Sequence, residues 1–215
     1  MKNSISILMF VIAATIFNSC SPATVITGSW KNKSFVQTKK YKTVFIAGIV
    51  QNLAARQALE DAFYKQATQR GYQATKSIDV FQKTYNSQNT PSQSELLEKI
   101  RAAGADVILT ITLKSVQNQT RYVPGTESYN PVPMNGYYGN FYGYYGPVYN
   151  EVYTPGYYAN DKVYFMECNI YDASTEELIW TAQSETTNPP KLDAAAREYA
   201  NVVIYQMQKD GILNK

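Results

Sequence analysis

The sequence predicts an α/β fold, with α+β as its variant: a mixed β-sheet with helices packed on it, a late β-hairpin and a C-terminal helix. Three observations carry this expectation. Two apolar runs with strand character, residues 42–50 and 105–113, are separated by segments with helical spacing. Two further strand patterns flank a turn at Asp172-Ala173-Ser174-Thr175-Glu176-Glu177. A helical pattern then closes the chain. Strand–helix–strand alternation builds a sheet with helices against it, and a short turn between strands builds a hairpin.

The elements follow in order. Residues 21–41 are polar and mixed and read as a tether or an irregular lead-in, in which Thr24-Val25-Ile26-Thr27 and Phe35-Val36 are candidate short edge strands. Residues 42–50 form a continuous apolar run, the mark of a strand covered on both faces. Residues 54–70 place Ala55, Leu59, Ala62, Phe63 and Ala67 on one side of a helix, and Gly71 stops it. Residues 72–76 read as a second strand. Residues 79–89 fit either a short helix or a loop, with Val80 and Phe81 packing. Thr90-Pro91-Ser92 opens another helix, with Pro91 at the first helical position, where a missing N–H costs nothing. Leu96, Leu97, Ile100 and Ala103 form its apolar stripe and Gly104 ends it. The strand from Ala105 extends to Tyr122. Residues 162–171 and 178–186 are the hairpin arms, with Trp180 as a core anchor and Asp172 capping the turn with Ser174 or Thr175. Asn188-Pro189-Pro190 breaks the second arm. Residues 192–213 form the last helix, with Leu192, Ala195, Ala196, Tyr199, Val202, Val203 and Met207 on its buried side.

Upstream of this lies a different kind of segment. Lys2 is followed by an apolar run of roughly 11 residues and then by Asn18-Ser19-Cys20, the layout of a secretory signal. A membrane-spanning helix needs about 20 apolar residues, so a permanent span is not expected. The block resembles a bacterial lipoprotein signal, in which cleavage precedes a cysteine that then carries diacylglycerol and usually an N-acyl chain such as palmitate. The resemblance implies that Cys20 is the lipidation site and first mature residue. Phe17 departs from the leucine more usual at its position. A plain secretory signal with an incidental cysteine is the alternative. Multiple acyl chains, at about 0.8 kcal/mol per buried methylene, give stable anchoring. Ser21-Pro22 lacks the aspartate associated with inner-membrane retention, which favours the outer membrane, facing the periplasm.

Composition narrows the chemistry. Beyond residue 19 there remain 19 cations and 17 anions, since Lys2 is the sole charge removed from the 20 and 17 of the whole chain. This near balance provides no electrostatic footprint for nucleic acid. Histidine is absent, which removes the usual general base and the commonest metal ligand. Of the two cysteines, Cys20 is assigned to lipid, so Cys168 has no disulfide partner and reads as a small buried hydrophobe. There is no phosphate-binding glycine loop and no paired cysteines for zinc. Asp61, Asp79, Asp106, Asp161, Asp172 and Glu167 are carboxylates without an assigned partner. No cofactor, no metal and no enzymatic activity are expected, with a carboxylate-dependent hydrolase as the remaining catalytic alternative.

Between the Ala105 strand and the hairpin lies a Tyr/Gly/Pro-rich insertion, residues 124–160. Ten of the 19 tyrosines fall in residues 129–158, and no lysine or arginine occurs in residues 123–161. Loops longer than about 15 residues are usually functional or disordered. Tyrosine offers a stiff contact face with a polar tip. One reading is an adhesive surface for an envelope protein or a glycan, centred on Tyr137, Tyr138, Tyr142, Tyr144 and Tyr145. The other is a low-complexity flexible loop folded over the sheet edge. Nucleic-acid stacking would require a cationic track that the segment lacks.

The lipobox, the Ala105-Asp106-Val107-Ile108-Leu109 strand after a helix, and the Tyr171–Trp180 stretch of the hairpin occur together in envelope lipoproteins of Gram-negative bacteria with a domain of unknown function. The chain resembles these over residues 40–120 and 160–213. It is distantly similar to the curli-secretion lipoprotein family and to the amino-terminal domain of the Tol-system propeller protein. The resemblance implies no catalytic motif. The sequence lacks an obvious long pore-forming hairpin of alternating residues, so secretion-channel activity is not expected. The organisation expected is therefore a signal peptide over residues 1–19, a lipidated N-terminus and tether over 20–41, and a single α/β domain over 42–215. The function expected is that of a non-catalytic envelope interaction or assembly module, held to the membrane by its lipid. A glycan- or peptidoglycan-binding lipoprotein is the alternative.

Overall fold

The computed structural model describes residues 23–35, 40–81, 92–124 and 156–213. They form a six-stranded mixed sheet with four helices, an α/β fold. In chain order the elements are β1 (Thr24–Lys31), β2 (Thr43–Ile49), α1 (Leu53–Gln69), β3 (Gln73–Lys76), the single turn α2 (Ser77–Val80), α3 (Gln93–Ala102), β4 (Val107–Val123), β5 (Tyr157–Asp172), β6 (Leu178–Thr187) and α4 (Leu192–Lys209). The strands lie in the order β1-β6-β5-β4-β2-β3. β2 runs parallel to both neighbours, and every other pairing is antiparallel.

Successive strand residues face opposite sides of a sheet. Ile46 therefore enters the larger core, with Leu59 and Phe63 of α1 and Tyr199 and Val203 of α4. Its neighbour Phe45 enters the smaller core, with Phe81 and with Ile100 of α3. Both faces of β2 are covered, which is why residues 42–50 read as an unbroken apolar run. Phe63 meets Tyr199 edge to face, with ring centroids 5.9 Å apart. Trp180 is fully buried, and its indole N–H donates to Asp210 Oδ2 at 2.8 Å, tying β6 to the end of α4. Cys168 is free and buried, and desolvation holds its thiol protonated. Asp172 Oδ1 accepts the amides of Ser174 and Thr175 at 2.8 and 2.9 Å, the turn cap predicted for it.

Several expectations change. Part of the 20–41 lead-in is regular: the candidate strand at 24–27 is present and runs on, so that Thr24–Lys31 pairs with β6 as an edge strand. Phe35 is not a strand residue but packs at the core's margin. Ser92, not Thr90, caps α3, with its Oγ accepting from Glu95 N at 3.2 Å, so Pro91 precedes the cap and lies outside the described residues. α4 stops at Lys209 rather than Leu213. Gly211 turns the chain at φ 68°, and the amides of Ile212 and Leu213 fold back onto Met207 O. Leu192 is exposed, and Ala200 and Ile204 are buried in α4 beside the residues predicted. The insertion is trimmed too, since residues 157–160 belong to β5.

The largest change concerns the hairpin. β4 and β5 pair over sixteen register positions, Val107↔Asp172 to Val123↔Tyr157, so a long hairpin is present. Residues 114–121 hid it, because they are mostly polar on both faces and give no alternating signal.

Candidate functional site

The lipidation candidate Cys20 and the proposed contact tyrosines Tyr137, Tyr138, Tyr142, Tyr144 and Tyr145 lie outside the described residues. The described residues show what flanks them. β6 reaches its last row at Thr187↔Val163, and β2 leaves β4 after Ile49↔Thr112. Beyond those rows, among the described residues, β4 and β5 continue alone as a two-stranded ribbon of six register pairs, Asn118↔Lys162 to Val123↔Tyr157. At about 3.4 Å per residue the ribbon projects about 20 Å.

Side chains brace the ribbon at its base. Arg121 Nε donates to Asp161 Oδ2 at 3.0 Å, and Asn188 Nδ2 donates to Asp161 Oδ1 at 2.7 Å. These two bonds hold the Asp161 carboxyl below its ordinary range. Asn188, at φ 45°, also exchanges two bonds with the backbone of Lys162, so the end of β6 clamps the start of the ribbon. Thr120 Oγ1 donates to Asn160 Oδ1 across the strands at 3.1 Å.

The ribbon's far end is aromatic. Tyr122 and Tyr158 are direct cross-strand partners, with ring centroids 5.3 Å apart. Tyr122, Tyr157 and Tyr158 are 56, 59 and 74 % exposed. The Tyr122 ring lies against Gly156, where a Cβ would collide with it. Sequence reasoning placed the aromatic surface wholly inside the insertion. The Tyr122 part of it was missed because its partner is 36 residues downstream and known only from register.

A second polar cluster has the place of a ligand site but is filled. β3 and β4 lie on either side of β2, so the C-terminal end of β2 is a topological switch point, where open α/β sheets bind ligands. Here that end holds Arg56 and Glu60, both 0 % exposed. Arg56 Nε meets Glu60 Oε1 at 3.0 Å, and its Nη2 donates to Ser77 Oγ at 2.8 Å. Ser77 Oγ–H, Gly48 N–H and Ile78 N–H donate to the Glu60 carboxylate at 2.6, 2.9 and 2.8 Å. A Cβ at Gly48 would come within 3.2 Å of both Arg56 and Glu60. The protein's own side chains occupy the crevice.

The six sequence-singled carboxylates are dispersed over structural roles. Asp61 and Asp79 both face Lys76, at 2.9 and 3.6 Å. Asp106 accepts the amides of Lys42 and Thr43. Asp172 accepts from Tyr41 Oη at 2.7 Å besides its turn amides. Glu167 accepts from Asn169 at 3.0 Å. Burial works to raise the Asp172 carboxyl, but the donors around it, Ser174, Tyr41 and Thr175, outweigh burial and hold it well below the usual range. Burial and the bond to Asp172 push the Tyr41 phenol up. A small apolar cavity, about 70 Å³, lies between α1, α4 and the sheet, lined by Phe63, Leu109, Ile170, Ile204 and Met207 among others. Among the described residues no group of three His, Cys, Asp or Glu stands close enough to hold a metal ion. No described helix is long and apolar enough to cross a membrane.

Comparison of the sequence with known family descriptions and with characterised proteins finds no match. Solved structures with a similar course of the chain include the PelC dodecamer from Paraburkholderia phytofirmans and the lipoprotein GNA1162 from Neisseria meningitidis. The first is 11 % identical, covers 84 % of this chain and 94 % of its own, and has a TM-score of 0.43. The second is 8 % identical, covers 78 % of this chain and 99 % of its own, and has a TM-score of 0.41. Likeness at this level carries nothing about function.

Proposed function

We propose that this protein is a non-catalytic lipoprotein of the cell envelope that works as a binding or assembly module, with the β4–β5 ribbon as its contact element. In this reading the signal is cut before Cys20, the cysteine is acylated, and the Tyr/Gly/Pro-rich segment is offered to an envelope protein at the same membrane. The observation that carries the reading is the ribbon itself. It spends two strands on a projection that buries little, and it ends in three exposed tyrosines on either side of that segment. Tyrosine suits such a role because it gives a wide contact at low cost in side-chain entropy. The filled switch-point crevice favours a binding role over a catalytic one.

Crosslinking in intact cells followed by mass spectrometry tests it, comparing the full chain with one lacking residues 137–145. The expected result is loss of one or more envelope partners on deletion. An unchanged set of partners would overturn the assignment. Sedimentation with purified cell wall, lost on the same deletion, would replace the protein partner by a glycan.

A further inference from the structure

The strand register fixes the end of the sheet at which β1 begins. Thr24 pairs with Thr186, Thr186 with Tyr164, and Tyr164 with Val116, so these four residues form one row across the sheet. β4 runs from that row towards the ribbon end. Ala23 lies one step further in the same direction, where its O accepts from Thr187 N and its N donates to Glu198 Oε1 at 2.8 Å. Ala23 and the start of β1 therefore lie at the end of the sheet from which the ribbon projects. Ala23 is held at both its backbone groups, which leaves three peptide steps to Cys20. Three extended residues span at most about 11 Å. The ribbon reaches about 20 Å past the same level. A lipid fixed to Cys20 thus keeps the bilayer closer to the body of the domain than the ribbon is long.

The surface chemistry of that end agrees. Val25 of β1, Val116 of β4 and Leu192 at the start of α4 lie towards that end. All three are exposed, together with the three ribbon tyrosines. By contrast, the turn at the opposite end of the hairpin, residues 173–177, is Ala-Ser-Thr-Glu-Glu. Tyrosine concentrates at membrane–water interfaces, where its ring meets the acyl boundary and its hydroxyl stays wet.

We propose that the ribbon end formed by Tyr122, Val123, Tyr157 and Tyr158 rests in the interfacial layer of the bilayer that holds the acylated Cys20. The proposal rests on the lipid anchor assigned above and adds a second, protein-borne contact with the same membrane.

The test uses the full acylated chain purified from membranes and reconstituted in phosphatidylethanolamine/phosphatidylglycerol vesicles. An environment-sensitive fluorophore is attached at Tyr158→Cys, at Tyr122→Cys, and at Glu176→Cys on the opposite end as control. Buried Cys168 stays unlabelled as long as the fold is intact, so its reactivity checks each variant. Flotation reports the anchor, and quenching by lipids carrying a nitroxide near the headgroup reports the ribbon. Emission at positions 122 and 158 blue-shifted and quenched at least threefold more than at 176 is the expected result. Flotation with equal quenching at all three positions would overturn the ribbon contact alone. Absence of flotation would overturn the anchor and the ribbon contact together. A dry probe in native envelope fragments but a wet one in lipid vesicles would assign the ribbon end to a protein and overturn the bilayer contact.

Discussion

Glu60 accepts three hydrogen bonds besides its ion pair with Arg56, and neither side chain reaches solvent. Removing one partner of such a pair leaves a buried charge uncompensated, whereas removing both leaves an apolar gap to fill. Glu60→Leu alone is therefore expected to cost about 3–5 kcal/mol. Arg56→Met with Glu60→Leu is expected to cost far less than the sum of the single changes, and urea unfolding of the four proteins of the cycle measures the difference. Asp172 allows a prediction with pH. Its native carboxyl is held below the unfolded value of about 3.9, so its stabilisation is complete above that value and is lost as pH falls through the native one. Asp172→Asn is expected to lower stability at neutral pH by about 2 kcal/mol, the worth of hydrogen bonds to a charged group. The gap between the two proteins narrows below pH of about 4 in acid titrations followed by circular dichroism, because only the parent loses the term.

At the scale of elements, α3 and the ribbon differ in what holds them. α3 is short, and one apolar stripe, Leu96, Ile100 and Ala103, fastens it to the smaller core. Its capped start therefore matters: Ser92→Ala removes the acceptor for Glu95 N and is expected to cost about 1 kcal/mol in thermal or urea unfolding. The ribbon buries almost nothing beyond Val163, so its order depends on the ladder, on the Asn188 clamp and on the fit of Tyr122 against Gly156. Gly156→Ala drives the Tyr122 ring off that position. The expected outcome is faster amide exchange confined to the ribbon rows, with the global unfolding midpoint unchanged, because no core contact is touched. A drop in global stability would show the ribbon to be part of the cooperative unit.

For the whole molecule, the sheet closes its antiparallel half without help from the Tyr-rich segment, since β5 is paired on both sides only from Val163 onward. Replacing residues 125–155 by Asn-Gly is expected to leave the fold and its midpoint intact or slightly raised, because a shorter loop costs less entropy to close; circular dichroism and thermal unfolding read this. Much of this architecture was legible from the chain alone. The runs at residues 42–50 and 105–113, the Asp172 turn and the α4 stripe each follow from local periodicity or turn chemistry, which need only near neighbours in sequence. The switch-point ion pair was not legible, because Arg56 and Glu60 sit among alanines on a helix and look like any solvent-facing i, i+4 pair until β2 and Ser77 close over them. The ribbon was half legible: β4 was read to Tyr122, but its partner rows depend on a register set between residues at least 34 positions apart. The sequence by itself determined the fold class and the aromatic character of the insertion. Tertiary structure decided that β1 begins at the same end of the sheet from which the ribbon projects, because direction across a sheet is the sum of its strand pairings and no single segment encodes that sum.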